Sequence, residues 1–131
     1  MLSTGIRGSR SVMVEEANLA STVGSGDLPV FATPSMVALI ERTASESVQP
    51  YLEVGTSTVG TKLDVVHSAP TPIGMTVVCD TELVEIDRRR LVFSVKVYDS
   101  VGEVGSGTHE RFVVDSAAFL SKAESKRGSS E

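Results

Sequence analysis

Three polar side chains sit where their neighbours are apolar. Val37, Glu41, Ala44 and Val48 fall at i, i+4, i+7 and i+11, one stripe of an α-helix that a single carboxylate interrupts. Glu41 is therefore either desolvated, and so a stronger base, or paired with a cation in a structural role. His67 closes a run in which Val59, Thr61, Leu63 and Val65 share its face, which points it inward. There it could orient a substrate carbonyl or shuttle a proton, the alternative being a satisfied core histidine. Thr33, directly before Pro34, brings a hydroxyl and unpaired backbone N–H groups to a helix start. These could hold a developing oxyanion, or Thr33 is an ordinary N-cap.

Other candidate features carry less chemistry. Gly105-Ser106-Gly107 lacks a following Lys and helix, so it reads as close backbone packing or a bulge and not as a phosphate loop. Arg88, Arg89 and Arg90 form a basic run at a turn, solvated or reaching for phosphates. No GxSxG, HExxH, GxxxxGKS or CxxC occurs, which leaves serine-hydrolase, zincin, P-loop and redox chemistry without support. One cysteine, Cys79, and two histidines exclude a disulfide scaffold and a zinc cluster. No metal site is expected.

The elements that must position these groups follow from pattern and punctuation. Thr33-Pro34 opens a helix that ends by Gln49, because Pro50 disfavours helical geometry before it. Residues 58–67, 75–86, 90–98 and 103–114 read as four strands joined by polar turns, which makes them antiparallel neighbours. Residues 11–18 suggest a short first strand, 20–28 a Gly/Ser loop, and 116–126 a terminal helix capped by Asp115. Residues 1–10 and 124–131 are expected to be flexible ends around a single domain spanning 11–123. One helix with four long antiparallel strands predicts an α+β fold, a sheet wrapped around a central helix. Its open edges favour a dimer.

With 131 residues the chain makes one domain, and a net charge of −5 argues against nucleic-acid or anionic-membrane partners. The longest apolar run, residues 36–40, is far short of a membrane span, and the first twenty residues show no signal-peptide core. A cytoplasmic setting is the expectation.

Taken together, residues 30–41 (VFATPSMVALIE), 59–71 (VGTKLDVVHSAPT), the Arg-rich turn before Leu91, and 105–111 (GSGTHER) resemble the hotdog-fold thioesterases related to fluoroacetyl-CoA thioesterase. The likeness spans about residues 28–114 with order and spacing intact. It implies a hotdog fold, a long helix wrapped by an antiparallel sheet and usually dimerised through it, with homodimer and tetramer as the two assemblies left open. It implies acyl-CoA as substrate, with no metal or organic cofactor, coenzyme A being part of the substrate. The family's catalytic set falls on Thr33, Glu41 and His67, with Glu41 as general base or nucleophile. Gly60 of VGT and Arg111 of THER are also associated with its site, and Phe31 adjoins it. Arg88 and Arg89, with Arg111, are candidates for the anionic part of CoA. The fluoroacetyl-specific member carries a Phe-containing lid before the helix, where this chain has Gly24-Ser25-Gly26-Asp27-Leu28. A small or medium acyl group is therefore expected in place of fluoroacetyl specificity. A hotdog acyl-CoA hydratase or dehydratase, and a non-catalytic acyl-CoA binding module, are the alternatives on the same scaffold.

Overall fold

The structure, a computed structural model, describes residues 1–128. In chain order the elements are β1 (Arg7–Met13), α1 (Ala20–Val23), α2 (Thr33–Val48), β2 (Thr56–His67), β3 (Thr76–Asp87), β4 (Arg90–Tyr98), β5 (Glu103–Asp115) and α3 (Ser116–Gly128). The strands form one antiparallel sheet in the order β1-β3-β4-β5-β2, leaving β1 and β2 as its edges. Met36, Leu39, Ile40, Thr43, Ala44 and Val48 make the buried face of α2. That face packs into the sheet in two clusters, one with Val77, Cys79, Val95, Val97 and Val104, the other with Leu83, Leu91 and Phe93. This is the α+β hotdog arrangement expected from the sequence.

Several boundaries differ from the sequence expectation. Arg7–Arg10, expected to be frayed, belongs to β1 and pairs with residues 79–82 of β3. A mainly polar strand carries little period-two signal, so β1 is defined by its partner. Residues 20–28 are not wholly a loop. They begin with the helical turn α1, closed by Gly24 in the left-handed region at φ 90°, where the absence of a Cβ removes the strain. At the other end α3 follows the expected terminal helix over 116–126, with the Ala118 N–H donating to Asp115 at its start, and runs on to Gly128 into the expected flexible tail. The rest of that expected tail, 129–131, lies outside the described residues.

Two irregularities shape the part of the sheet that carries the site. In β2 the register shifts between Gly60 and Lys62, so Thr61 has no partner on β5. Thr61 is exposed, donating to the Glu110 carbonyl, and does not share the inner face with Leu63, Val65 and His67 as the alternation predicted. One extra residue flips the face. The second shift leaves Val104 unpaired opposite Val97 and Tyr98. Its carbonyl accepts N–H groups from Ser68 and Ala69, which pins the chain immediately after His67. Beside it Gly105 packs closely, as expected: a Cβ there would sit 2.6 Å from the Val66 carbonyl and 2.9 Å from the Met36 sulfur.

Candidate active site

Thr33 is the first residue of α2, not its cap. The N-cap is Ala32, and no side chain caps the helix. The Thr33 hydroxyl has a tertiary partner instead, sharing a 2.7 Å hydrogen bond with His67 Nδ1. Phe31, fully buried, meets the His67 ring edge-on at a centroid separation of 6.3 Å. The Phe31 N–H donates to Thr71, whose own hydroxyl binds Asp99 in the β4–β5 turn. His67 is thus held from the helix start, from the preceding segment and from the pinned loop that follows it. Its Nε2 is buried and has no hydrogen-bond partner, an arrangement that costs free energy unless a ligand completes it. A cleft of about 330 Å³ opens here, with Ala20, Ser25, Val30 and Pro70 among its walls. Residues 24–28 place no aromatic over it.

Glu41 lies two turns further along α2, at the margin of the buried face. Glu41 has a cation partner but is not buried with it: Arg111 Nη1 approaches Glu41 Oε2 at 3.5 Å, with the Glu41 side chain 40% exposed and that of Arg111 8%. The carboxylate lies over Gly60, and a Cβ at that position would collide with Oε2. Arg111 itself donates through Nε to Thr58 Oγ1 at 2.8 Å, through Nη2 to the Thr58 carbonyl at 3.0 Å, and through Nη1 to His109 Nε2 at 3.2 Å. Buried under Glu41 with four of its five N–H groups donating within the protein, Arg111 is not presented to the phosphates of CoA, contrary to that part of the sequence expectation.

The structure therefore makes two clusters. Thr33, Phe31 and His67 meet at the start of α2, while Glu41, Gly60 and Arg111 meet beside its middle, eight residues or ~12 Å along the axis. No hydrogen bond joins Glu41 to Thr33 or His67 among the described residues. Arg88 and Arg89 belong to neither. They are exposed at the β3–β4 turn, with Arg88 in the left-handed region at φ 58°, and line an apolar cleft with Tyr51, Leu52 and Val113. Arg90, by contrast, is committed to Glu110 and Glu85.

His109 and Thr58 are site residues that sequence reasoning missed. The available signal was spacing: His109 and Arg111 are two apart on β5, so if one is buried the other shares its face. A buried guanidinium demands acceptors.

Among the described residues no helix is long and apolar enough to cross a membrane. A sheet in the order β1-β3-β4-β5-β2 wrapped on one long helix is the hotdog fold, the scaffold of a large class of thioesterases, and here it carries a Thr–His pair at the helix start and a Glu–Arg pair beside its middle. The chain belongs to the fluoroacetyl-CoA-specific thioesterase family, whose model matches residues 14–117, and it is accordingly an acyl-CoA thioesterase. A fluoroacetyl-CoA thioesterase from Streptantibioticus cattleyicolor is 44% identical over 97 residues, 74% of this chain and 70% of that protein. A solved structure of the fluoroacetyl-CoA thioesterase FlK superposes with a TM-score of 0.90 at 36% identity, covering 96% of this chain and 98% of the other. A thioesterase-superfamily protein of Thermus thermophilus, 23% identical, shares the fold alone, at a TM-score of 0.87 over 98% of this chain and 97% of its own.

Two predictions follow from the geometry. Gly60→Ala puts a methyl group where the Glu41 carboxylate lies, so the Glu41–Arg111 pair should open and Tm should fall by a few degrees, overpacking costing about 1–3 kcal/mol. An unchanged Tm would show that the carboxylate moves aside without cost. The second concerns pH. Burial lowers the pKa of both His67 and His109 below the ordinary 6.5. The unfolded chain then binds more protons than the folded one just below pH 6.5, so stability is full above that value and declines as pH falls through it. Tm should drop between pH 7.5 and 5.5, before most carboxylates titrate. A flat profile over that window contradicts the assignment of both rings as neutral.

Proposed function

We propose that the chain hydrolyses small or medium acyl-CoA thioesters to free acid and CoA, with Glu41 as general base or nucleophile. The observation that supports this most directly is the Glu41 carboxylate, held over Gly60 by a buried arginine yet exposed enough to meet a substrate. As base it would take a proton from water as the oxygen attacks the thioester carbonyl. The C–S bond then breaks and the proton returns to the thiolate. As nucleophile it would attack the carbonyl carbon and expel the CoA thiolate as the C–S bond breaks, leaving a mixed anhydride that water opens to the free acid and the regenerated carboxylate, the released proton going to the thiolate. Thr33 and His67 would position the carbonyl or the water, with the unpartnered Nε2 as the atom offered, and the start of α2 favours developing negative charge. The reaction uses these side chains and no metal or organic cofactor, coenzyme A being part of the substrate.

The acyl range rests on the open cleft of about 330 Å³ beside His67 and on a 24–28 segment that lacks a lid aromatic. The relatives named for fluoroacetyl-CoA motivate including that substrate without restricting the enzyme to it. Arg88 and Arg89, exposed and without ion-pair partners among the described residues, suit the phosphates of CoA. A cytoplasmic setting suits the buried Cys79 thiol, whose pKa burial pushes up to about 11.

The same reading includes a homodimer, or a pair of dimers, in which Glu41 of one copy works with Thr33 and His67 of the other. The ~12 Å between the two clusters along α2 supports this, as do the open edges β1 and β2.

Glu41→Gln should lower kcat by ~10²–10⁴-fold or more. It keeps an amide oxygen for Arg111 to donate to but removes the charge that pairs with the buried guanidinium, so Tm should hold or fall slightly. Single-turnover hydrolysis of acetyl-CoA and longer acyl-CoAs within threefold of wild type would refute the role and favour a binding module. The shared site has its own test. Mixing inactive Glu41→Gln and His67→Ala chains after subunit exchange should restore about a quarter of wild-type activity, since half the dimers are mixed and each then has one intact site of two. No recovery in confirmed mixed dimers places both groups of each site in one chain.

A further inference from the structure

We propose that His109 is a positioning residue for Glu41, acting through Arg111. The ring is completely buried and lies against Phe93, with centroids 6.3 Å apart and planes 30° from parallel. Its two nitrogens have partners that fix its protonation. Nδ1 is 2.8 Å from the Lys62 carbonyl, which can only accept, so Nδ1 carries the hydrogen. Nε2 is 3.2 Å from Arg111 Nη1, which can only donate, so Nε2 carries the lone pair. One neutral tautomer satisfies both contacts, and neither the other tautomer nor the imidazolium does.

What this achieves is directional. A guanidinium is a planar fork. In Arg111 the Nε and Nη2 arms are fixed by Thr58 on β2, and Nη1 remains to reach Glu41. The 3.5 Å contact is long for a hydrogen bond, so Glu41 depends on where Nη1 sits. His109 supplies the neutral acceptor that holds that nitrogen, without the second carboxylate that would compete with Glu41 for the charge. The Lys62 carbonyl in turn belongs to the residue just past the Thr61 bulge, so the irregularity in β2 and the aim of Glu41 are joined through one imidazole.

The inference rests on the reading of Glu41 as the working carboxylate, and the experiment separates the two. Nitrogen-15 NMR of the unmodified, full-length protein at pH 7 should show a protonated Nδ1 and an unprotonated Nε2 for His109. The opposite tautomer, or an imidazolium, overturns the proposal because Nε2–H cannot accept from Arg111. His109→Asn keeps a donor near the Lys62 carbonyl but is too short to accept from Arg111. It should lower kcat for acyl-CoA hydrolysis by roughly 10- to 100-fold, the cost of ~1 Å of lost alignment, with KM within about threefold. His109→Gln places its amide oxygen where Nε2 lies, which restores the acceptor for Arg111, and should recover most of that loss, which filling a core position alone does not explain. In a Glu41→Gln background, His109→Asn should cost no more than about twofold, since both act through one carboxylate. Wild-type kcat in His109→Asn, no recovery in His109→Gln, or equal losses in both backgrounds overturns the proposal. If His109→Asn does not fold, the tautomer measurement decides. Full activity in Glu41→Gln alone removes the reading of Glu41 itself, whereas an inactive Glu41→Gln beside a fully active His109→Asn removes only the role of His109.

Discussion

A guanidinium buried in the concave side of the sheet is the constraint around which this site is organised. Arg111 keeps its charge, because a guanidinium starts so far above neutral that the lowering imposed by burial still leaves it protonated. Taking that charge out of water is costly unless its N–H groups find acceptors. They find them on three different elements: both oxygens of Thr58 on β2, the Nε2 of His109 on β5, and the carboxylate of Glu41 on α2. The requirement to satisfy one ion therefore ties the helix to the two strands at one end of the sheet. Gly60 is part of the same solution, because the carboxylate reaches the arginine only across a residue without a Cβ.

The opposite end of β2 solves a different problem by different means. His67 is neutral and is held by a hydroxyl, an aromatic edge and a pinned loop, with one ring nitrogen left unsatisfied. Both ends draw on the inner face of a single strand, and the Thr61 bulge lets that face continue across a change of phase. Without the extra residue, an inner face running through Thr58 and Gly60 would continue to Lys62 and Asp64, turning charges toward the core and His67 toward solvent.

The sequence made the helix legible because punctuation and pattern agreed at its start, where Thr33-Pro34 leads into an apolar stripe; its end owes less to Pro50, since Gln49 keeps helical backbone and the chain runs on in a 3₁₀ turn, Gln49–Tyr51, through the proline. Strand β4 was equally plain, since Phe93, Val95 and Val97 alternate with Ser94 and Lys96 and all three are buried. What escaped was whatever depends on distant partners. A Thr before Pro fits both an N-cap and an N1 residue, and only the position of His67, 34 residues away, decides where the hydroxyl goes. The Thr61 bulge escaped because period-two reading assumes an unbroken register. His109 and the true place of Arg111 escaped because GSGTHER looks polar. Its alternation turns Gly105, His109 and Arg111 inward and leaves Thr108 exposed, but nothing local says that the polar set is the buried one. Arg88 and Arg89, the basic residues conspicuous in sequence, lie outside both clusters.

The spacing along α2 bears on how such a site can work. Attack on a thioester carbonyl needs the activating group, the incoming oxygen and the carbonyl clamp within about 3–3.5 Å of one another in series. Thr33 and Glu41 are separated by more than two helical turns, and each is already directed elsewhere, Thr33 to His67 and Glu41 to Arg111. Bending either toward the other would break the contacts that orient it. In the proposed assembly the two groups stay where the fold puts them, and a two-fold axis brings each to its complement on a second copy. Symmetry then makes two identical sites from one mismatch in spacing. On this view the rigidity of the two clusters and the distance between them are one design: each chain holds half of two sites, and neither half has to move to complete them.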